Sequence, residues 1–147
     1  MTTARTRSDP NQHSDQLAKL FDRLPPSALE AEMSLLGSMI LAGGGNIHII
    51  GEVLQIIRGP GDFEKPAHQS LYEVLAQLYD QNLSIDSVQI VHELRQRGVL
   101  EQVGGPDYIV ELANGVPIAE NAPHYARLVR DTAERRALIQ AAGKILK

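Results

Sequence analysis

The side chains that could support acid–base or metal chemistry are widely separated along this sequence. The five histidines are His13, His48, His68, His92 and His124. None of them has a second histidine at the spacing of metal ligands, and the chain has no cysteine. Glu30 and Glu32 are two positions apart, so on a helix their carboxylates would not face each other. The sequence therefore predicts no catalytic residue and no metal site.

The glycines do not form a phosphate-binding loop either. Such a loop needs the pattern G-x-x-x-x-G-K-[ST], in which backbone amides hold phosphate and a hydroxyl holds magnesium. The only Gly-Lys pair is Gly143-Lys144, which is followed by Ile145 and has Leu138 at the position of the first glycine. The glycines at 43–45 have neither a lysine partner nor a preceding strand. We therefore expect no cofactor and no enzymatic activity in this chain.

Composition and charge are those of one soluble domain with an uneven charge distribution. The chain has 147 residues and a net charge of −4, which argues against a freestanding nucleic-acid binder. Residues 127–147 carry a net charge of +4, whereas the preceding residues carry −8. This asymmetry indicates either head-to-tail contacts, an acidic partner, or simply a solvated helix face. No apolar run is long enough for a membrane helix and no signal peptide is evident, so we expect a cytoplasmic protein.

The elements that must position these residues are predicted to be helices throughout. Pro25 and Pro26 stop any helix from upstream, and Ser27 and Glu30 have the spacing of a capping box. A first helix then presents one apolar face, made by Leu29, Met33, Leu36 and Ile40. Gly37 lies inside that helix, where it costs about 1 kcal/mol relative to alanine. A close approach of a second helix would explain it.

Further helices follow at recognisable start and stop signals. Asn46, Pro66 and Asp86 are predicted to begin three of them, and Gly98 to end the third. Another short helix is expected from the glycine pair at 104–105 to about residue 113. Pro123 is predicted to open the last and longest helix, whose pattern continues to Lys147. We find no convincing strand, because every apolar segment fits a period of 3.6 better than 2.

The predicted architecture is an all-α fold with a helical head and a helical hairpin. Residues 1–24 are expected to be a mostly disordered tail, with a short amphipathic helix at 14–24. Residues 25–105 would form the head, and residues 106–147 the hairpin. Because the pattern does not stop at residue 147, we expect a longer parent chain that continues into a linker and a further domain.

Several short motifs resemble the N-terminal domain of DnaB-type replicative DNA helicases. They run in order over about residues 27–140. The residues that carry them are Ser27, Glu30, Glu32, Leu35, Leu36, Gly37, Asp62, Phe63, His68, Ile85, Asp86, Val103, Gly104, Gly105, Tyr108, Tyr125 and Val129, with the turn at 117–122. Ser84 replaces the family's proline and Glu64 replaces its usual tyrosine. In this pattern His68, beside Phe63 at the start of a helix, is expected to be structural rather than catalytic.

The resemblance implies a non-catalytic role in DNA replication. Such domains pair through their hairpins and assemble as a trimer of dimers, which forms an N-terminal collar on a hexameric ring. The collar binds the C-terminal domain of primase and influences helicase loading, so a helicase loader is another expected partner. ATP and magnesium would be used by a motor domain that this chain lacks. DNA binding by the collar domain itself is expected to be weak or absent.

We expect the partner or oligomer interface on the hairpin. Two helices cannot bury all their apolar residues against each other, so the remainder indicates association. The candidate interface residues are Tyr108, Leu128, Arg130, Arg135, Leu138, Ile139 and Ile145. An equally simple interpretation is that Tyr108 and Leu128 close the core of the head.

Three other interpretations remain open. The chain could be a fragment whose enzymatic activity lies in the missing part, which an ATPase assay would reveal. It could be the helicase-binding domain of primase, although the first-helix motif and the glycine pair favour the helicase. It could also be a freestanding helical regulator descended from the helicase domain. The sequence beyond Lys147 would distinguish the last possibility.

Overall fold

Helix α1 is the central helix of the fold, and four of the other helices pack against it. The computed structural model of the protein describes residues 28–146, with only the backbone at residue 146. The α-helices are α1 Ala28–Ala42, α2 His48–Ile56, α3 Pro66–Asp80, α4 Ser87–Gln96, α5 Leu100–Val103, α6 Gly105–Asn114 and α7 Ala122–Leu146. Short 3-10 turns lie at Pro60–Asp62 and Ala119–Asn121. Residues 28–146 contain no strand, which confirms the predicted all-α class.

Helix α1 is buried on more sides than its sequence pattern predicts. Leu36 and Ile40 are buried as expected, but so are Ala31, Leu35 and Met39. Leu29, which was predicted on the inner face, is instead 47% exposed. The reason is that α1 contacts α2, α3, α6 and α7, so four neighbours cover it rather than one. A helix in this position is apolar nearly all round.

Gly37 lies where two helix backbones approach closely in the core. A Cβ at this position would overlap the backbone carbonyl oxygen of Leu112 in α6 and would lie 2.9 Å from its carbonyl carbon. The obstruction is backbone, which cannot turn aside as a side chain can. The predicted explanation for this glycine is therefore confirmed: α1 and α6 touch through it.

Most of the local signals for helix ends are confirmed. Pro66 is the first residue of α3. The Asp86 carboxylate caps α4 by accepting from the backbone N–H of Gln89 at 2.8 Å. Gly98 follows α4 with φ +72°, a conformation that favours glycine. These signals act between neighbouring residues, which is why the sequence reveals them.

The prediction that Asn46 caps α2 was wrong. Ile47 precedes the helix, and no side chain caps it. Asn46 instead donates from Nδ2 to the Glu120 carboxylate at 3.1 Å, across 74 positions of the chain. The Asn46 side chain thus bonds to a tertiary partner through its N–H group and does not cap α2. The short helix α5 was also not predicted.

Helix α7 has a buried first half and an exposed second half. Its inward positions Ala122, Ala126, Val129 and Ala133 are buried, and the helix contacts α1, α2 and the turn Pro60–Asp62. Residues 137–145 are exposed without interruption.

The hydrophobic core is continuous from Ala31 to Val129, so helices after residue 105 share it. The proposed domain boundary at 105 stays a prediction, and the predicted cap at Ser27 and helix at 14–24 lie outside the described residues.

Candidate functional site

A buried carboxylate and a buried histidine meet in the core between α1 and α3. Glu32 is 2% exposed and His68 is not exposed at all. Glu32 Oε1 lies 2.7 Å from His68 Nδ1, which is a hydrogen-bond distance. Buried polar groups of this kind are costly unless they are paired. The contact therefore fixes the register of α3 against α1.

The same carboxylate holds the loop that precedes α3. The backbone N–H of Glu64 donates to Glu32 Oε2 at 2.5 Å, and that of Lys65 points to Oε1 at 3.5 Å. Glu32 thus anchors the two residues that lead into α3, where no side chain caps the helix itself. One buried side chain satisfies amide groups that lie more than thirty positions away in sequence.

Tyr108 extends this network to α6 and to the surface. Its Oη lies 2.7 Å from His68 Nε2, and the two rings are parallel within 5°. Lys65 Nζ lies over the Tyr108 ring, 5.5 Å from its centre, which is a cation–π contact. Burial, then Glu111 and Glu32, raise the pKa of Tyr108 above its ordinary value. The hydroxyl therefore stays protonated and available as a donor to His68.

The start of α6 needs the glycine pair at 104–105, because both backbones have positive φ and Tyr108 lies close to Gly104. Gly104 has φ +123° and Gly105 has φ +77°, both in the region that favours glycine. A Cβ on Gly104 would lie 2.9 Å from Cβ of Tyr108. This turn brings Tyr108 against α3, so the family motif of two glycines and a tyrosine has a structural explanation.

A second polar cluster ties α7 to the turn before α3. Asp62, which is 8% exposed, accepts from Arg130 Nη1 at 2.7 Å and from the backbone N–H of Arg58 at 2.9 Å. Nearly two turns further along α7, Arg136 donates to the backbone carbonyls of Gly61 and Asp62 at 3.1 and 3.2 Å. Arg130 was predicted at a partner interface, but the structure places it in an intramolecular ion pair.

The loop from Asp62 to Lys65 joins the two clusters. Its first residue binds α7 through Arg130, and its last two amides point to Glu32 in α1. Phe63, between them, is completely buried and lies 5.1 Å from Tyr72, centre to centre. The motif Asp62-Phe63 with His68 therefore acts as one structural unit, whose parts each contact a different helix.

Beyond these clusters, α7 presents an exposed apolar end. Leu138, Ile139 and Ile145 are 71%, 72% and 84% exposed, and Arg135 is exposed beside them. Leu138 and Ile145 are seven positions apart, so they lie on one face of the helix. Among large hydrophobic side chains of the described residues, only Val88 has a comparable exposure. Four of the predicted interface residues therefore lie together on a projecting helix.

The remaining predicted interface residues lie elsewhere. Leu128 is half-buried against the core, as is Tyr108. Tyr125, a family-motif residue, also packs there. Sequence reasoning considered Arg136 only as a charged contact to a partner, and it did not single out Lys65. The carbonyls that Arg136 binds and the ring beneath Lys65 cannot be read from spacing, because both contacts depend on how the loop folds back.

Neither polar cluster has the accessibility of a catalytic site. A substrate would have to reach Glu32 and His68, which are both buried. Within residues 28–146, no three His, Asp or Glu side chains come together as metal ligands would. No helix in that range is both long enough and apolar enough to cross a membrane.

Comparisons with known proteins agree with this geometry. Residues 24–131 match the family described as DnaB-like helicase N terminal domain. The chain is 39% identical over 127 residues to the replicative DNA helicase DnaB of Mycobacterium leprae, covering 86% of this chain and 20% of that protein. It is 37% identical over 126 residues to the replicative DNA helicase DnaC of Bacillus subtilis, covering 86% and 27%. The chain thus spans about a quarter or less of these relatives.

A solved structure shows the same fold. The crystal structure of the N-terminal domain of DnaB helicase from Mycobacterium tuberculosis superimposes with a TM-score of 0.75 and 39% sequence identity. The match covers 84% of this chain and 86% of that one. Motif order, helical architecture and the family match agree over most of the described residues. This chain therefore belongs to the family of DnaB-like helicase N-terminal domains.

Proposed function

We propose that this chain is a non-catalytic oligomerisation and primase-interaction domain of a replicative DNA helicase. In this proposal it pairs with a second copy and forms, as a trimer of dimers, the N-terminal collar of a hexameric ring. The parent protein unwinds DNA with ATP and magnesium bound to a separate motor domain, in the cytoplasm. Helicase loaders are further candidate partners, and direct DNA binding by this domain is weak or absent.

The observation that carries the proposal is the exposed apolar end of α7. Leu138, Ile139 and Ile145 bury little against their own chain, although each could contribute about 1.5–3 kcal/mol when fully buried. The middle of the helix is tied to the turn Pro60–Asp62 by Arg130 and Arg136. A fixed helix with an uncovered apolar stripe is typical of a surface that a partner covers.

The buried clusters support the non-catalytic part of the proposal. Glu32, His68 and Tyr108 use their polar atoms on each other and on the backbone. They therefore stabilise the head rather than present groups to a substrate. We expect no ATP hydrolysis by the 147-residue chain, and hydrolysis above background by the purified chain would contradict this.

Self-association is tested with Ile139→Asp. Light scattering should show the wild-type chain at twice the monomer mass or more, and the variant shifted to the monomer. Ile118→Asp, at a 48% exposed apolar position in the turn before α7, is the matched control and should keep the wild-type mass. Equal masses for wild type and Ile139→Asp would refute oligomerisation through this helix.

Primase binding is tested by calorimetric titration with the C-terminal domain of primase from the same organism. Saturable binding, lost in Ile139→Asp or in Leu138→Asp, would support docking on the α7 end. A ratio of one primase domain to two chains would place the site across the pair. Absence of binding by a well-folded wild-type dimer would remove primase from the proposal and leave oligomerisation.

A further inference from the structure

An open groove of about 480 Å³ lies between the turn Pro60–Asp62, the outer side of α3 and the residue that follows α4. No residue of α7 lines it, so it is separate from the exposed helix end on which the proposed function rests. Both apolar surface and polar side-chain ends face into it. Its lining includes Pro60, Tyr72, Ala76, Gln77, Asp80 and Arg97.

The positive charge in this groove is already paired. Arg97 donates from Nη1 to the Glu73 carboxylate at 3.1 Å and from Nη2 to Oε1 of Gln77. Glu73 and Arg97 therefore neutralise each other, and Asp80 is the remaining formal charge of the lining. Within residues 28–146, the Asp80 carboxylate forms no hydrogen bond and no ion pair.

The position of Asp80 in α3 makes this carboxylate unfavourable for the helix. Asp80 is the last residue of a helix of 15 residues, and the last turn of α3 contains no basic side chain. The carbonyl end of a helix carries a partial negative charge, which stabilises a nearby cation by about 0.3–1 kcal/mol and disfavours an anion. The whole of α3 contains neither lysine nor arginine. A cation in the groove would therefore relieve a repulsion that α3 does not compensate by itself.

Tyr72 supplies an unused polar atom at the same place. Its side chain is 5% exposed, and it lines the groove. Its hydroxyl forms no hydrogen bond with any residue of the described range, although buried polar side chains usually have a partner. Burial, then Asp62 and Asp80, raise the pKa of Tyr72 to about 12, so the hydroxyl is neutral and lies in a negative potential. A hydroxyl oxygen in such a field is suited to accept from a positively charged donor.

The apolar part of the lining decides which kind of cation fits. Pro60 and Ala76 are only half-buried and line the groove together with Tyr72. A hydrated metal ion gains nothing from apolar surface, whereas the alkyl stem of a basic side chain packs on it while the charged end reaches a carboxylate. Arginine also donates to a carboxylate through two parallel N–H groups, which a lysine cannot do. The groove therefore suits an arginine side chain.

We propose that this groove binds an arginine side chain of a partner protein, whose guanidinium donates to the Asp80 carboxylate and to the Tyr72 hydroxyl. The stem of that side chain lies against Pro60 and Ala76. A protein is favoured over a free cation because the groove is open and contacts one side of its ligand, so the rest of a polypeptide must hold the side chain in place. The inference does not depend on self-association through α7.

The experiment is an NMR titration of the isotope-labelled 147-residue chain with blocked arginine, N-acetyl-arginine amide. We expect saturable shifts of the backbone amides of Asp80, Gln81 and Arg97, with a Kd on the order of 1–10 mM, as suits a single side chain. N-acetyl-glutamine amide has a polar end without the charge and is the control probe. At equal concentration it should shift these amides about tenfold less.

Three variants assign the shifts to the groove. Asp80→Asn keeps the shape of the groove and removes its charge, and it should raise the Kd for blocked arginine about tenfold. Tyr72→Phe removes only the hydroxyl and should raise the Kd about threefold. Asp107→Asn removes an exposed carboxylate of α6 that does not line the groove, and it should leave the Kd unchanged. Because Asp80 is exposed, its variant keeps the fold even if Tyr72→Phe is destabilised, and circular dichroism checks this.

Several results would overturn the proposal. Shifts that avoid the groove, equal shifts with blocked glutamine, or an unchanged Kd in Asp80→Asn would each remove the arginine site. Spermidine that binds the groove amides more tightly than blocked arginine, and loses this binding in Asp80→Asn, would make the ligand a free cation instead of a protein. Groove amides that shift on dilution of the chain without any probe would make the occupant a second copy. None of these measurements involves Ile139, so the inference and the proposed function fail separately.

Discussion

Glu32 in α1 and His68 in α3 form a buried polar contact of 2.7 Å, although they are 36 positions apart in sequence. Both side chains are almost inaccessible to solvent, and the carboxylate also serves backbone amides of the loop before α3. His68 also forms a hydrogen bond with the hydroxyl of Tyr108 in α6. Three helices are thereby held in register by one chain of polar contacts through an otherwise apolar core.

We expect Glu32→Ala to destabilise the fold by about 3 kcal/mol, because it leaves the buried His68 Nδ1 without its partner and removes the acceptor of the Glu64 amide. Urea denaturation followed by circular dichroism measures this change. Glu52→Ala, at an exposed position in α2, is the control and should change stability by no more than about 0.5 kcal/mol. A similar small loss in both variants would show that the network contributes little.

Gly37→Ala should destabilise the protein by about 3 kcal/mol, because its methyl group would overlap the Leu112 carbonyl and force α1 and α6 apart. The matched control is Gly143→Ala in α7, where nothing lies within 4 Å of the added carbon. That change should stabilise the chain, by up to about 1 kcal/mol, through helix propensity alone. Thermal unfolding of the two variants should therefore shift in opposite directions.

Tyr72 should make stability fall at alkaline pH. Burial, then Asp62 and Asp80, raise the pKa of Tyr72 to about 12 from 10.0. Below pH 10 both the folded and the unfolded chain keep the proton. Between these two values the unfolded chain loses it first, so the free energy of unfolding decreases as pH rises.

Tyr72→Phe removes this contribution, so its urea midpoint should decline less steeply than that of the wild type between about pH 10 and about pH 12. Other titrating groups are the same in both proteins and cancel in the comparison. Parallel curves for the two proteins would show that Tyr72 is not held in its protonated form by the fold.

The ion pair between Asp62 and Arg130 should couple α7 to the head. A double-mutant cycle with Asp62→Ala and Arg130→Ala is expected to give an interaction energy of about 1–3 kcal/mol, because both side chains are largely buried. The exposed pair Glu73 and Arg97 is the comparison and should give about 0.2–1 kcal/mol. Equal coupling energies would mean that burial adds nothing to the contact at the base of α7.

The sequence alone determined the class of fold and most helix ends. The apolar period, the prolines and the Asp86 cap act between residues that are close in sequence. A short stretch of chain therefore contains all the interactions that set these helix ends. The exposed stripe on α7 could also be predicted, because two helices of a hairpin cannot bury all their apolar residues against each other. The family resemblance rested on the order of local motifs and needed no structure.

The tertiary structure alone decided where the long-range polar contacts formed. Asn46 donates to Glu120 instead of capping α2, and Arg130 pairs with Asp62 within the chain. Such pairs join residues some seventy positions apart, and many candidates of the right charge compete for each one. Which pair forms depends on how closely the helix backbones approach each other, as α1 and α6 do at Gly37. The distance between two helices is set by the packing of the whole core and not by any one segment.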